Sequence, residues 1–323
     1  MKKLSIIAIV LSAATLSLQI FIFATSGFES LGDSPKQVQA SRVSPISSPE
    51  IPDTLTFCGD KIPLDNFYVR EALDRELTTM MYGHTNTSLI IKRAGRVFPI
   101  IEPILKKNGV PQDLKYLAVI ESNLQNLTSP AKAQGYWQFM KTTGQTYGLE
   151  INDDVDMRNS LESSTEAAAK FLKTLHQQFG NWPAAAAAYN CGGGGLKKRF
   201  EEQSTNSYFE THLNTETTRY VYRILAAKII MKNPQKYGFF IRNCELYPQI
   251  PCRTVELSGK NVDLYQFAKD NKTSYKMLRM MNPWLLGNKV ANKNGKTYKV
   301  KIPTEKSWGK LTQDKDRSYV NSL

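Results

Sequence analysis

The sequence predicts a mainly helical body followed by a small unit that mixes strands and helices. Three observations carry this. Apolar residues recur at helical spacing through most of 69–232. Proline, glycine and Asn-Pro breaks divide those runs into helix-sized pieces. From Arg253 onward the pattern changes to strand-like alternation on either side of two short helical runs.

The chain opens with Met1-Lys2-Lys3 and an apolar run from Leu4 to Ala24. A basic start and an apolar core make an export signal. The run is long for a cleaved segment and barely long enough to span a bilayer, which takes ~20 residues. Residues 1–26 are therefore either a signal cleaved near Ser26 or an N-terminal membrane anchor. No cysteine precedes Cys58, which argues against a lipid-modified N-terminal cysteine. Residues 27–52 are rich in Ser, Pro and Gln without periodicity and read as a linker.

A helical domain is expected over 53–243. Its first helices fall near 69–81 and 89–107, with Pro99 and Pro103 expected to kink or break the second. The stretch Pro111–Ser122 is expected as one helix with Pro111 at its first position. Leu114, Leu117, Ala118 and Glu121 then share one face, three apolar residues and one carboxylic acid. Burial and the negative end of the helix dipole both raise the pKa of such an acid, as general-acid chemistry requires.

The segment 123–149 turns irregular, with Gly135, Tyr136, Trp137 and Gln138 in a loop or at a short helix start. Rings beside amides suit a sugar cleft, but Tyr136, Trp137 and Phe139 fit a core equally. Ser163 and Glu166 are expected to form a capping box for a helix whose face runs Ala168, Phe171, Leu172, Leu175 and Phe179. His176 lies on its flank. Pro183 opens an Ala-rich helix that delivers Tyr189 and Asn190 to its end, and four glycines are expected to make a tight exit there. Asn190 serves either as a ligand or as the cap of that exit. A last helix is expected at about 215–232, ended by Asn233-Pro234. Beyond it, 253–303 reads as a βααβ unit, and 304–323 as a polar, loose tail.

At 323 residues the chain has room for roughly two domains, and 41% apolar content is enough for a core. Net charge is +13, with 15 Lys and Arg against 6 Asp and Glu from Arg253 to the end. Such a segment favours a polyanion: nucleic acid, an anionic membrane surface or a cell-wall polymer. Export argues against nucleic acid. His84, His176 and His212 are scattered and HExxH is absent, so no metal is expected. The export compartment permits disulfides among Cys58, Cys191, Cys244 and Cys252, and Cys244–Cys252 is the preferred pair.

Glu121-Ser122, GYWQ at 135–138, AYN at 188–190 and Tyr220 within ETTRYV come in the order and spacing of soluble-lytic-transglycosylase-type domains. The arrangement most resembles the membrane-bound lytic murein transglycosylase D group, over roughly residues 95–240. Residues 255–303 resemble a LysM peptidoglycan-binding module. The resemblance implies a goose-lysozyme-like helical catalytic domain and cleavage of the MurNAc–GlcNAc β-1,4 bond in peptidoglycan strands. It implies Glu121 as sole acid and base, a 1,6-anhydro product, no cofactor, and a place in the cell envelope or periplasm. Substrate contacts would come from Ser122, Gly135, Tyr136, Gln138, Tyr189, Asn190 and Tyr220, with Ser122 also orienting the acid. Two positions depart from the pattern. Tyr136 stands where Leu is usual and Lys132 where Gly is usual, and both bear on the cleft wall. Asp153, Asp154 and Asp156 carry no signal for a second carboxylate. A non-catalytic wall-binding scaffold and a lysozyme-type hydrolase are the competing readings.

Overall fold

The computed structural model describes residues 47–304 and 316–323. The export segment expected at 1–26 and most of the linker lie outside the described residues. A two-residue hairpin comes first, β1 (Thr56–Phe57) against β2 (Asp60–Lys61). Eight helices follow: α1 (Phe67–Tyr82), α2 (His84–Lys107), α3 (Lys115–Ser122), α4 (Lys141–Thr146), α5 (Leu161–Phe179), α6 (Trp182–Cys191), α7 (Gly193–Glu202) and α8 (Thr215–Lys232).

Helix α8 runs through the middle of this body. Asn214 caps it, accepting from Thr217 N at 2.9 Å, and most of its residues from Tyr220 to Met231 are buried. It packs against α1, α3 and α6. Its far end is tied down by Lys228, whose Nζ donates to Thr56 O and Asp113 Oδ2, both at 2.6 Å. Ala184–Ala188 of α6 are all fully buried, because side chains this small let neighbouring helices close in from every side.

Several expectations need correction. Pro99 and Pro103 do not break α2, which is continuous from His84 to Lys107. Both rings lie on its exposed side, where water can satisfy the carbonyls they leave without a donor. The Pro111–Ser122 stretch is not one helix. A 3₁₀ turn at Gln112–Leu114 precedes α3, and Pro111 stands outside it. Helix α5 is capped three residues earlier than expected. Ser160 takes the Ser163 N–H, and Glu166 instead meets Lys107 Nζ at 2.9 Å and Asn108 Nδ2 at 2.8 Å. Of the four glycines, only Gly192 (φ +83°) makes the exit, and the other three begin α7.

The C-terminal unit is β3 (Cys252–Leu257), β4 (Val262–Asp263), α9 (Leu264–Asp270), α10 (Tyr275–Met281), β5 (Lys289–Val290) and β6 (Tyr298–Pro303). β3 pairs antiparallel with β6, and β4 with β5. Leu257, Leu264, Leu278, Val300 and Ile302 fill its core, and Val155 from the helical body joins them. Asp154 makes the junction firm. Its carboxylate accepts from Ala291 N and Asn292 N at 2.8 Å each, and its carbonyl accepts from Leu286 N at 2.8 Å.

The four cysteines are free, so the Cys244–Cys252 pair is not formed. Cys252 sits in β3 with its Sγ 3.6 Å from Met281 Sδ, while Cys244 lies in a 3₁₀ turn bonded through its backbone to Asp316 O. Nor is all of the tail loose. Val320 is buried and its N–H bonds to Ile241 O, while Tyr116 OH donates to Leu323 O at 2.7 Å. Residues 305–315 of the expected tail lie outside the described residues.

Candidate active site

Glu121 sits in the last turn of α3. Leu114, Leu117 and Ala118, on the same side, are fully buried, and Glu121 is half-buried. The helix ends at Asn123, held in the left-handed region at φ +52°, and Leu124 follows at φ +56°. Two such residues in a row turn the chain sharply away, so the acid stands at a corner rather than inside a continuous helix.

Tyr220, buried on α8, donates its hydroxyl to Glu121 Oε1 at 2.5 Å. Loss of water pushes the Glu121 carboxyl up to about 7. The Tyr220 hydrogen bond and the Arg223 cation work against that rise, and the Glu216 carboxylate adds to it. An acid so placed is partly protonated near neutrality, yet has a donor ready for its anion.

The 125–140 loop forms one wall. Trp137 is fully buried and its Nε1 donates to Thr165 Oγ1 at 2.9 Å, and Phe139 is buried too. Both are core. Gly135 has φ +84°, and a Cβ there would lie 2.0 Å from Arg158 O, so only glycine fits. Arg158 is buried against Asp156 at 2.6 Å and donates to Lys132 O and Phe139 O, both at 3.1 Å. This pair clamps the loop from behind, and Asp156 is thereby committed to structure.

The expected site residues divide into two groups. Tyr220 touches Glu121, and Tyr189 lies close enough for the Glu121 charge to reach its phenol. Asn190 joins from α6, its Oδ1 accepting from Thr217 Oγ1 at 3.0 Å and its Nδ2 donating to Glu216 Oε1 at 3.3 Å. The others, with the Tyr189 hydroxyl, hold the wall. Ser122 is buried, with its hydroxyl on Ala118 O and Tyr136 O at 3.0 and 2.8 Å, so it binds the loop to α3 rather than bonding to the Glu121 carboxyl. Gln138 Nε2 bonds Leu127 O and Gly135 O inside the loop. Tyr189 OH donates to Trp137 O at 2.7 Å. Tyr136 is half-buried, so part of its ring stays accessible.

Between α1 and the first half of α8 lies an open depression of about 560 Å³, and the charges of two of its residues, Glu216 and Arg223, reach Glu121. Glu76, Thr79, Thr215, Glu216, Arg219 and Arg223 line it. Sequence reasoning passed over Glu216 and Arg223. Their only signal is spacing: four residues before Tyr220 and three after it, hence on its face of α8. Among the described residues no group of three His, Cys, Asp or Glu side chains gathers as a metal site, and no helix is long and apolar enough to cross a membrane.

Two stretches of the chain are similar to known families. Residues 98–211 match the transglycosylase SLT domain family, and residues 253–306 match the soluble lytic transglycosylase C-terminal LysM-like domain. The chain is 32% identical over 195 residues to membrane-bound lytic murein transglycosylase D of Escherichia coli strain K12, and equally to that of Escherichia coli O6:H1. The match takes in 58% of this chain and 42% of each relative, so the chain spans less than half the length of the curated relatives it matches.

Proposed function

We propose that this chain, which carries a transglycosylase SLT domain followed by a LysM-like domain, is an exported lytic transglycosylase that cleaves the MurNAc–GlcNAc β-1,4 bond of peptidoglycan. Residues 53–243 do the chemistry, 253–303 grip the wall, and the N-terminal segment carries the chain into the cell envelope. The observation that supports this most is the Glu121–Tyr220 contact: an acid held near pKa 7 by burial, with a phenol on one oxygen.

Glu121 begins protonated. It gives its proton to the glycosidic oxygen as the bond from that oxygen to muramyl C1 breaks, releasing the GlcNAc hydroxyl. The Glu121 carboxylate then takes the proton from the muramyl C6 hydroxyl as that oxygen bonds to C1. The acid is restored and the product ends in a 1,6-anhydro ring, with no water consumed. Tyr220 steadies the carboxylate between the two transfers. Asn190 has a second N–H beside the one on Glu216, which suits the carbonyl of an acetamido group. Tyr136 offers a ring face to a sugar. A general acid of this kind contributes about 10²–10⁴-fold, and positioning much of the rest.

Digestion of isolated murein tests the reading. Wild-type protein is expected to release fragments with 1,6-anhydromuramyl ends by mass spectrometry, and Glu121→Gln none. Reducing ends in place of anhydro ends would make the chain a hydrolase. Binding without soluble product would make it a scaffold.

A further inference from the structure

The depression between α1 and α8 holds charges that the reaction above leaves unused. Arg219 is committed, its Nε and Nη2 donating to Glu76 Oε1 and Oε2 at 2.8 and 3.0 Å. Two charged side chains remain. Glu216 lends one oxygen to Asn190 and is otherwise open to solvent. Arg223 is half-buried and makes no hydrogen bond or ion pair among the described residues. Its charge nevertheless reaches the Glu121 carboxyl. A guanidinium that has lost part of its water without gaining an acceptor is unfavourable until an anion arrives, and its planar fork matches a carboxylate.

Glu216 and Arg223 are seven residues apart on one face of α8 with Tyr220 between them, about 10 Å along the axis. Opposite charges thus lie on either side of Tyr220 along this face, and both reach the Glu121 carboxyl. The substrate proposed above has the complementary features. Each muramyl ring bears, through its lactyl group, a short peptide with free carboxylates and, at a diamino acid, a free ammonium. That branch leaves the same ring whose C1 must sit at Glu121. A stem of four residues spans about 13 Å when extended, enough to run along this face.

We propose that the depression between α1 and α8 receives the peptide stem of the muramyl residue being cleaved, with Arg223 holding a stem carboxylate and Glu216 facing a stem ammonium. This rests on peptidoglycan being the substrate, and it makes the chain a reader of stem peptides as well as of sugar.

The test compares kcat/KM for anhydro-end formation on peptide-bearing strands and on strands stripped of peptides by an amidase. Wild type, Arg223→Gln and Arg223→Lys are each measured, with thermal melts to verify folding. The Gln variant is expected to lower the ratio of peptide-bearing to stripped kcat/KM about ten-fold, through KM, as loss of one charge-assisted contact at a half-exposed site predicts. The Lys variant keeps most of the ratio. If Arg223 acts only by its field on Glu121, both substrates change together and the ratio holds. An unchanged ratio overturns the proposal while leaving the catalytic reading intact. If wild type forms no anhydro ends on either strand, the catalytic reading fails instead. The stem site is then judged by binding alone. Glu121→Gln protein must prefer peptide-bearing over stripped strands in sedimentation, and adding Arg223→Gln must erase that preference. No preference in the single variant, or one that survives in the double, sinks the stem site.

Discussion

Replacing Glu121 by Gln is expected to stabilise the fold, and only where the acid would be charged. The ordinary carboxyl value is 4.5, and in the fold it is pushed up to about 7 by burial. The folded chain therefore keeps a proton that the unfolded chain has already released between these two values. Stability contributed at this position falls as pH rises through that window and levels off above it. At ~1.36 kcal/mol per pH decade, the step from 4.5 to about 7 amounts to roughly 3 kcal/mol as an upper figure. Gln has nearly the shape of the protonated acid and still accepts from Tyr220, but it does not titrate. Urea unfolding of both proteins at pH 4 and pH 8 reads the effect. The two are expected to match near pH 4, and the variant to lead by up to about 3 kcal/mol at pH 8. If the difference is the same at both pH values, or the variant is weaker at pH 8, Glu121 is not held uncharged by its surroundings and the general-acid role loses its physical basis.

Because the protonated form starts the reaction, the rate is expected to fall as pH rises through about 7. Tyr220→Phe removes a bond that favours the carboxylate, so a pH–rate profile should show this falling limb moved to higher pH, with a slower plateau; a limb moved lower would contradict the assignment. Gly135→Ala forces a Cβ to 2.0 Å from Arg158 O at a left-handed φ, and denaturation should register a loss of roughly 2–4 kcal/mol. Asp154→Asn removes the charge behind two 2.8 Å bonds to the C-terminal unit. Limited proteolysis is expected to cut faster near 285–304 while the helical circular-dichroism signal stays. Thiol titration of denatured, unreduced protein should find four free thiols per chain, and any shortfall would restore a disulfide.

What could be read in advance was whatever depends on local periodicity. The bounds of α8 follow from its pattern and the Asn233-Pro234 stop, and Glu121 stood out as the one acid on an apolar stripe. What escaped depends on partners distant in sequence. Ser163 with Glu166 three residues on reads as the cap, but Glu166 is drawn to Lys107 and Asn108, far away in sequence, and Ser160 caps the helix instead. Pro99 and Pro103 look like breaks until both are seen facing water. Trp137 was undecided because a ring that stacks on sugar and a ring that fills a core are the same residue. Thr165, 28 residues on, settles it. Val320 gives no sign of burial in the sequence because the backbone partner that holds it, Ile241, lies nearly eighty positions earlier.

The Asp154 junction has one further consequence. With Val155 of the helical body seated in its core, the C-terminal unit is built on to that body like a handle on a blade, not tied to it by a cord. If that handle grasps the wall as proposed, it presents the strand to Glu121 at a constant offset. Each cut would then fall at a distance from the grip dictated by the protein's own dimensions.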